Sequence, residues 1–248
     1  MPAGKPGPSL TDAFLKTVRA REHLEALQEQ LERFKETKPH RFHIERDIRA
    51  DKYRIHVKLP NIPDRVWLIV GDFLTCLRAS LDHLVWSLSA LTQSYPRYTE
   101  FPILDVPNDK VLRHSTRGVP LEARHIIEQL QPYQGRDQVS VRSHFLWRLN
   151  KLCNIDKHRR VPIHSHVSIM NFPDFPKRFS HLVERDADNG IVSVPLRLER
   201  YMRVDPETSF NVIIGDSVEG IEMDLEVLVG VYRFVTNDVL PRFGRFFV

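Results

Sequence analysis

Between residues 66 and 91, apolar side chains recur every three or four positions without a break: Val66, Val70, Phe73, Leu74, Leu77, Leu81, Leu84, Val85, Leu88 and Leu91. That spacing returns to one broad helical face, and a face so wide requires burial on several sides. The rest of the chain must therefore supply elements that wrap a long central helix.

Residues 10 to 37 predict the first of them. Leu10, Phe14, Val18, Leu24, Leu27, Leu31 and Phe34 fall mostly on one face of a helix that Ser9 or Thr11 caps and that ends before Pro39. The preceding "MPAGKPGPS" has no apolar periodicity and reads as a flexible tail, residues 1–9. Between the two helices, Phe42 and Ile44, then Tyr53, Ile55, Val57 and Leu59, alternate with polar residues and predict a β-hairpin turning near Ala50 and Asp51.

Residues 94 to 118 are rich in proline and charge and read as a long surface loop, with "FPIL" at 101 to 104 tucked against the core. Helices follow at 120 to 131, opening on Pro120, and at 141 to 158, stopping before Pro162. Then "IHSHVSIMNF", "RFSHLVER", "GIVSVPLRLE" and "SFNVIIG" suit three or four antiparallel strands. Leu225, Leu228, Val231, Val235, Val239 and Leu240 predict a final helix that kinks or stops near Pro241.

The expected fold class is α+β. It is a bundle of about five helices with an N-terminal β-hairpin and a small antiparallel sheet inserted before the C-terminal helix. Residues 10–248 are expected to form one domain, with a helical core at 10–160 and 222–247 and a sheet insertion at 161–215. A formal charge of +4 permits contact with nucleic acid without arguing for it. No stretch approaches the ~18 apolar residues of a membrane span, so no membrane partner and a cytoplasmic location are expected.

Polar residues interrupt the central apolar helix in "LRASLDHLVW", residues 77 to 86. At about 100° per residue, Arg78 and Asp82 share a face as an i,i+4 pair, whereas His83 lies roughly 140° from Arg78. His83 falls instead within about 20° of Asp72, near the line of Cys76, Ser80 and Ser87. A second polar group lies in "LNKLCNIDKHRRVP", residues 149 to 162. There Asn150, Asn154 and His158 line one edge of a helix, and Asp156 and Arg159 are spaced to pair. Lys157, His158, Arg159 and Arg160 complement the negative pole at the helix end.

Two resemblances rest on these residues. The helix "LRASLDHLVW" with the later "NIDKHR" resembles a bacterial family with LRxxLDHLVW and NxxDKHR motifs and no assigned activity, over these two short segments of the 248 residues. Separately, Arg78 and His83 resemble the R-x4-H motif of the HEPN superfamily, helical domains that include metal-independent ribonucleases. The match departs at Ala79, where that family often carries a polar residue, and in the inserted sheet.

The HEPN resemblance implies an RNA endonuclease or RNA-binding protein, acting as a homodimer. His83 would serve as general acid or base, Arg78 would stabilise phosphorane charge, and Asp82 or Asp156 would orient a histidine. Asn154, Asp156, Lys157, His158 and Arg159 would form the binding rim for RNA, led by its basic side chains. The alternative is a non-catalytic module in which the same residues satisfy one another as a buried helix-packing network.

The two cysteines, Cys76 and Cys153, fall within predicted helices and suit buried thiols rather than a disulfide. His164 and His166 project to one side of a predicted strand and could join His181 or His158 around a metal. No carboxylate or cysteine pair supports them, so the expected metal set is empty. No P-loop, G-x-G-x-x-G, G-x-S-x-G or H-E-x-x-H motif occurs, and no cofactor is expected.

Overall fold

The computed structural model describes residues 7–37, 41–58, 61–93, 97–171, 174–186, 190–202 and 207–247, with the side chains of 166–171 and 207–210 outside that description. It is mixed helix and strand, as the sequence predicts. The chain divides into two compact units: one takes residues up to Glu29, Asp64–Pro162 and everything from Ile214, the other Gln30–Pro63 and Ile163–Ile213.

The first unit is built on α2, Asp64–Ala90. Val66, Val70, Phe73, Leu74, Leu77, Leu81, Leu84, Val85 and Leu88 are all buried, so the long apolar face is the core. Each such side chain contributes about 1.5–3 kcal/mol of transfer free energy. Helix α1, Thr11–Glu36, starts with the Ser9 hydroxyl accepting the Thr11 N–H at 3.3 Å. It buries Leu10, Ala13, Thr17, Ala20, Leu24 and Leu27. Ser80 of α2, itself buried, donates to the Ala13 carbonyl at 2.9 Å and fixes the two helices together.

The face of α1 differs from expectation. Phe14 and Val18 are each 41% exposed and Leu15 is 60% exposed, because Ala13, Thr17 and Ala20 occupy the contact instead.

The expected loop at 94 to 118 contains a helix, α3, Asp109–Ser115, whose start Asn108 caps by accepting the Val111 N–H. Helix α4, Leu121–Gln129, follows with Pro120 at its cap position. The helix predicted over 141 to 158 is two: α5, Gln138–Ser143, and α6, Phe145–His158. His144 separates them in an extended conformation, and its Nδ1 accepts the Leu146 N–H at 3.2 Å, capping α6. Helix α7, Leu225–Arg233, is capped by Asp224. It runs into a π-helical turn, Phe234–Val239, and a 3-10 segment, Leu240–Phe246. Pro241 lacks the N–H that would continue the α-helical ladder, which accounts for the change of winding.

In the second unit, β1 (Arg41–Asp47) and β2 (Lys52–Lys58) form the predicted hairpin, with Asp51 in the left-handed region at φ 50°. They continue into a four-stranded antiparallel sheet with β4 (Glu184–Asp186) and β5 (Ile191–Pro195), in the order β1-β2-β5-β4. The hairpin therefore belongs with the inserted strands rather than with the helices. Tyr53, Ile55, Val57, Val192 and Val194 form its core with Leu198 and Met202. "RFSHLVER" is mostly a 3-10 helix, Lys177–Leu182, and only its end is a strand. Strands β3 (Ile163–Asn171), β6 (Glu207–Asp216) and β7 (Ile221–Met223) make a second sheet in the order β3-β6-β7.

Candidate functional site

Helices α2 and α6 meet where the sequence placed its two polar groups. Gly71 permits the approach: a Cβ at that position would lie 3.0 Å from Asp156 Oδ1. One turn further on, the Cys153 thiol donates to the Leu74 carbonyl at 3.5 Å. Burial pushes that thiol up to about 12, against the opposing pull of Arg78 and Lys157. Burial, together with the neighbouring Asp72 carboxylate, also holds Asp156 above the usual carboxylate range.

Arg78 and Asp82 pair at 3.2 Å on α2, with side chains 14% and 35% exposed. Arg78 also reaches Glu100 at 3.9 Å, while its Nη1 is buried with no hydrogen-bond partner among the described residues. Asp82 has a second commitment, because its Oδ1 accepts the Phe101 N–H at 2.9 Å. Burial raises the Asp82 carboxyl despite Arg78 and the Phe101 N–H, both of which favour its charged form.

The Phe101 contact anchors one end of "FPIL", and the buried Gln131 anchors the other. Gln131 Nε2 donates to the Pro102 carbonyl at 2.9 Å, and its Oε1 accepts the Leu104 N–H at 3.0 Å. With Phe101 fully buried, this segment is stitched to α2 on one side and to the end of α4 on the other. The sequence carried no sign of the role of Gln131 beyond its place after a helix.

His83 does not join Arg78. It lines a pocket of about 370 Å³ with Asp12, Asp82, Trp86 and Thr99. Among the described residues the lining places two carboxylates and no lysine or arginine around the imidazole, a field that disfavours a phosphate group. Of the other residues on the helical line of His83, Ser80 and Ser87 are buried and Cys76 is half-buried, whereas Asp72 is exposed and is not among the residues lining the pocket.

At the end of α6, Asn154, Lys157 and His158 are exposed and Asp156 is half-buried. Lys157 lies close enough to Asp82 to favour its charged form, so the two polar groups do share one neighbourhood. Arg159 does not pair with Asp156. It bonds Asp216 at 3.0 Å and Glu219 at 3.2 Å, and Lys151 bonds Glu219 at 2.7 Å. Arg160 pairs with Asp64 at 3.1 Å and stacks over Trp67 at 4.7 Å. Of the expected basic rim of Lys157, His158 and Arg159, Arg159 is thus neutralised by local carboxylates.

His164 is exposed, and the side chain of His166 lies outside the described residues. Among the described residues, no group of three or more His, Cys, Asp or Glu side chains is placed to hold a metal ion. No described helix is long and apolar enough to cross a membrane. No family model matches the chain, and no curated protein or solved structure matches it either.

Proposed function

We propose that the helical unit is a non-catalytic interaction module in which the polar residues of α2 fix how its elements pack. The observation that carries this is the double engagement of Asp82, which pairs with Arg78 and also accepts the Phe101 N–H. A ribonuclease site needs arginine and histidine to converge on one phosphate. Arg78 is mostly covered, its partner is a carboxylate, and it is not among the residues lining the pocket that holds His83.

One observation favours the second reading, a HEPN-like, metal-independent RNA endonuclease acting as a homodimer. His83 opens onto a pocket beside Trp86, which is 46% exposed and available to stack a base. In that account a partner copy supplies the missing cations.

The deciding experiment incubates the purified chain and its Arg78→Ala and His83→Ala variants with structured RNA in EDTA, and measures their unfolding in parallel. No cleavage by the wild type, with a marked stability loss in Arg78→Ala, supports the module. Cleavage abolished by His83→Ala at unchanged stability overturns it.

A further inference from the structure

A cleft of about 180 Å³ opens where α5, the start of α6 and the β6–β7 turn come together, away from the network on α2. Arg142, Trp147 and Arg148 line it, with Ser143, Gly220 and Glu222. Two consecutive helices place two guanidinium groups and an indole around one space, which the distant β6–β7 turn closes on the other side.

Arg148 is held, and neither arginine is neutralised. Arg148 Nε donates to the Arg142 carbonyl at 3.3 Å, which orients its side chain and leaves the outer nitrogens of the fork uncommitted. Gly220, at φ 68°, keeps the turn free of a side chain, and a Cβ there would sit 3.5 Å from Arg142 Nη1. Neither Arg142 nor Arg148 has an ion-pair partner within 4.0 Å among the described residues, although Glu222 also lines the cleft. Further along the chain, Lys151 and Arg159 both pair with Glu219. The same turn thus neutralises one set of cations and leaves another open.

Two arginine forks match the oxygens of a phosphate, which accepts parallel hydrogen bonds from a planar guanidinium. The half-buried indole of Trp147 lines the same space and adds a flat apolar face on which a planar ring stacks. A simple carboxylate would leave the indole unused, and an apolar ligand would strip water from two charges without replacing it. We infer that this cleft binds a phosphate group carried next to a planar ring, as in a nucleoside monophosphate or the phosphorylated end of a nucleic acid. The proposal stands on residues separate from Arg78, Asp82 and His83 and does not rest on their reading.

The test is calorimetric titration of the full chain with a ribonucleoside 5'-monophosphate, the unphosphorylated nucleoside and inorganic phosphate. The monophosphate is expected to bind at least about tenfold tighter than either fragment, since only it engages both forks and the indole. Arg142→Ala/Arg148→Ala is expected to weaken it about tenfold or more, and Trp147→Phe about threefold with inorganic phosphate unaffected. Unfolding curves of the variants verify that they remain folded, and single arginine variants replace the double one if it does not. Saturable binding of a 5'-phosphorylated RNA hexamer, tighter than the mononucleotide and lost without its terminal phosphate, assigns the site to nucleic-acid ends. Tighter binding of the mononucleotide assigns it to the free nucleotide. No saturable heat with any phosphate ligand, or equal affinity in the folded arginine variants, overturns the proposal.

Discussion

The Asp156 carboxylate lies against Gly71, so closely that a Cβ on residue 71 would fall 3.0 Å from Oδ1 and 3.1 Å from Oδ2. The absence of a side chain at residue 71 of this buried helix is therefore what lets α6 bring a carboxylate onto α2. Helical propensity alone would favour alanine there by about 1 kcal/mol. Steric contact with Asp156 opposes that gain. In a double-mutant cycle, Gly71→Ala is expected to destabilise the wild type and to stabilise the Asp156→Ala background, by up to about 1 kcal/mol. Urea denaturation of the four proteins checks it, and equal effects in both backgrounds would remove the contact from the account.

Asp156 also carries a pH signature. Burial and the Asp72 carboxylate raise its folded pKa above the ordinary 3.8, so the folded state holds its proton more tightly than the unfolded chain. Stability from this group is greatest at acid pH and declines as pH rises from about 3.8 through the folded value. Asp156→Asn is therefore expected to melt at or above the wild-type temperature at pH 7. Thermal scans across pH should show that advantage shrinking as the pH approaches 4.

His144 has the opposite slope. Burial lowers its pKa from 6.5, its Nδ1 must remain an acceptor to cap α6, and its ring packs edge-on against Phe234 at 5.3 Å. Protonation favours the unfolded chain, so this contribution is present near neutrality and is lost as pH falls from about 6.5 through the lower folded value. His144→Asn keeps a capping oxygen but cannot titrate. It is expected to lose less stability than the wild type between pH 7 and pH 5, as read by denaturant midpoints at the two pH values.

Cys153 is expected to be inert in the folded protein. Its thiol is buried, donates to the Leu74 carbonyl and is pushed up to about 12, so almost no thiolate exists at pH 8. A colorimetric thiol titration should modify it only in denaturant. Rapid modification of Cys153 in native buffer would mean that α6 opens readily from α2.

How much of this was legible follows from what local pattern encodes. The 3.6-residue apolar period located α2 because Val66 through Leu88 are buried whatever surrounds them. Alternation located the β1–β2 hairpin, but not its pairing with β5, since strand partners far apart in sequence leave no periodic trace. Phe14 and Val18 read as core because hydrophobicity was counted, whereas the small Ala13, Thr17 and Ala20 decided which face of α1 approaches α2. At the candidate site, helical geometry correctly paired Arg78 with Asp82 and separated His83 from Arg78, but not from Asp82, which lines the same pocket. It missed Glu100, the Phe101 N–H and Gln131, whose roles arise only when an irregular segment folds back onto the helices. Arg159 was legible as basic, but its carboxylate partners lie in a turn that no helical spacing reveals.

Asp82 holds the fold together, while its neighbour His83 does not. Equilibrium urea denaturation of Asp82→Ala and His83→Ala, side by side with the wild type, tests it most directly. Asp82→Ala removes a charged acceptor from the Phe101 N–H and strands Arg78, and is expected to cost about 2 kcal/mol or more, with His83→Ala under about 1 kcal/mol. An unchanged midpoint for Asp82→Ala, or a larger loss for His83→Ala, would contradict the account.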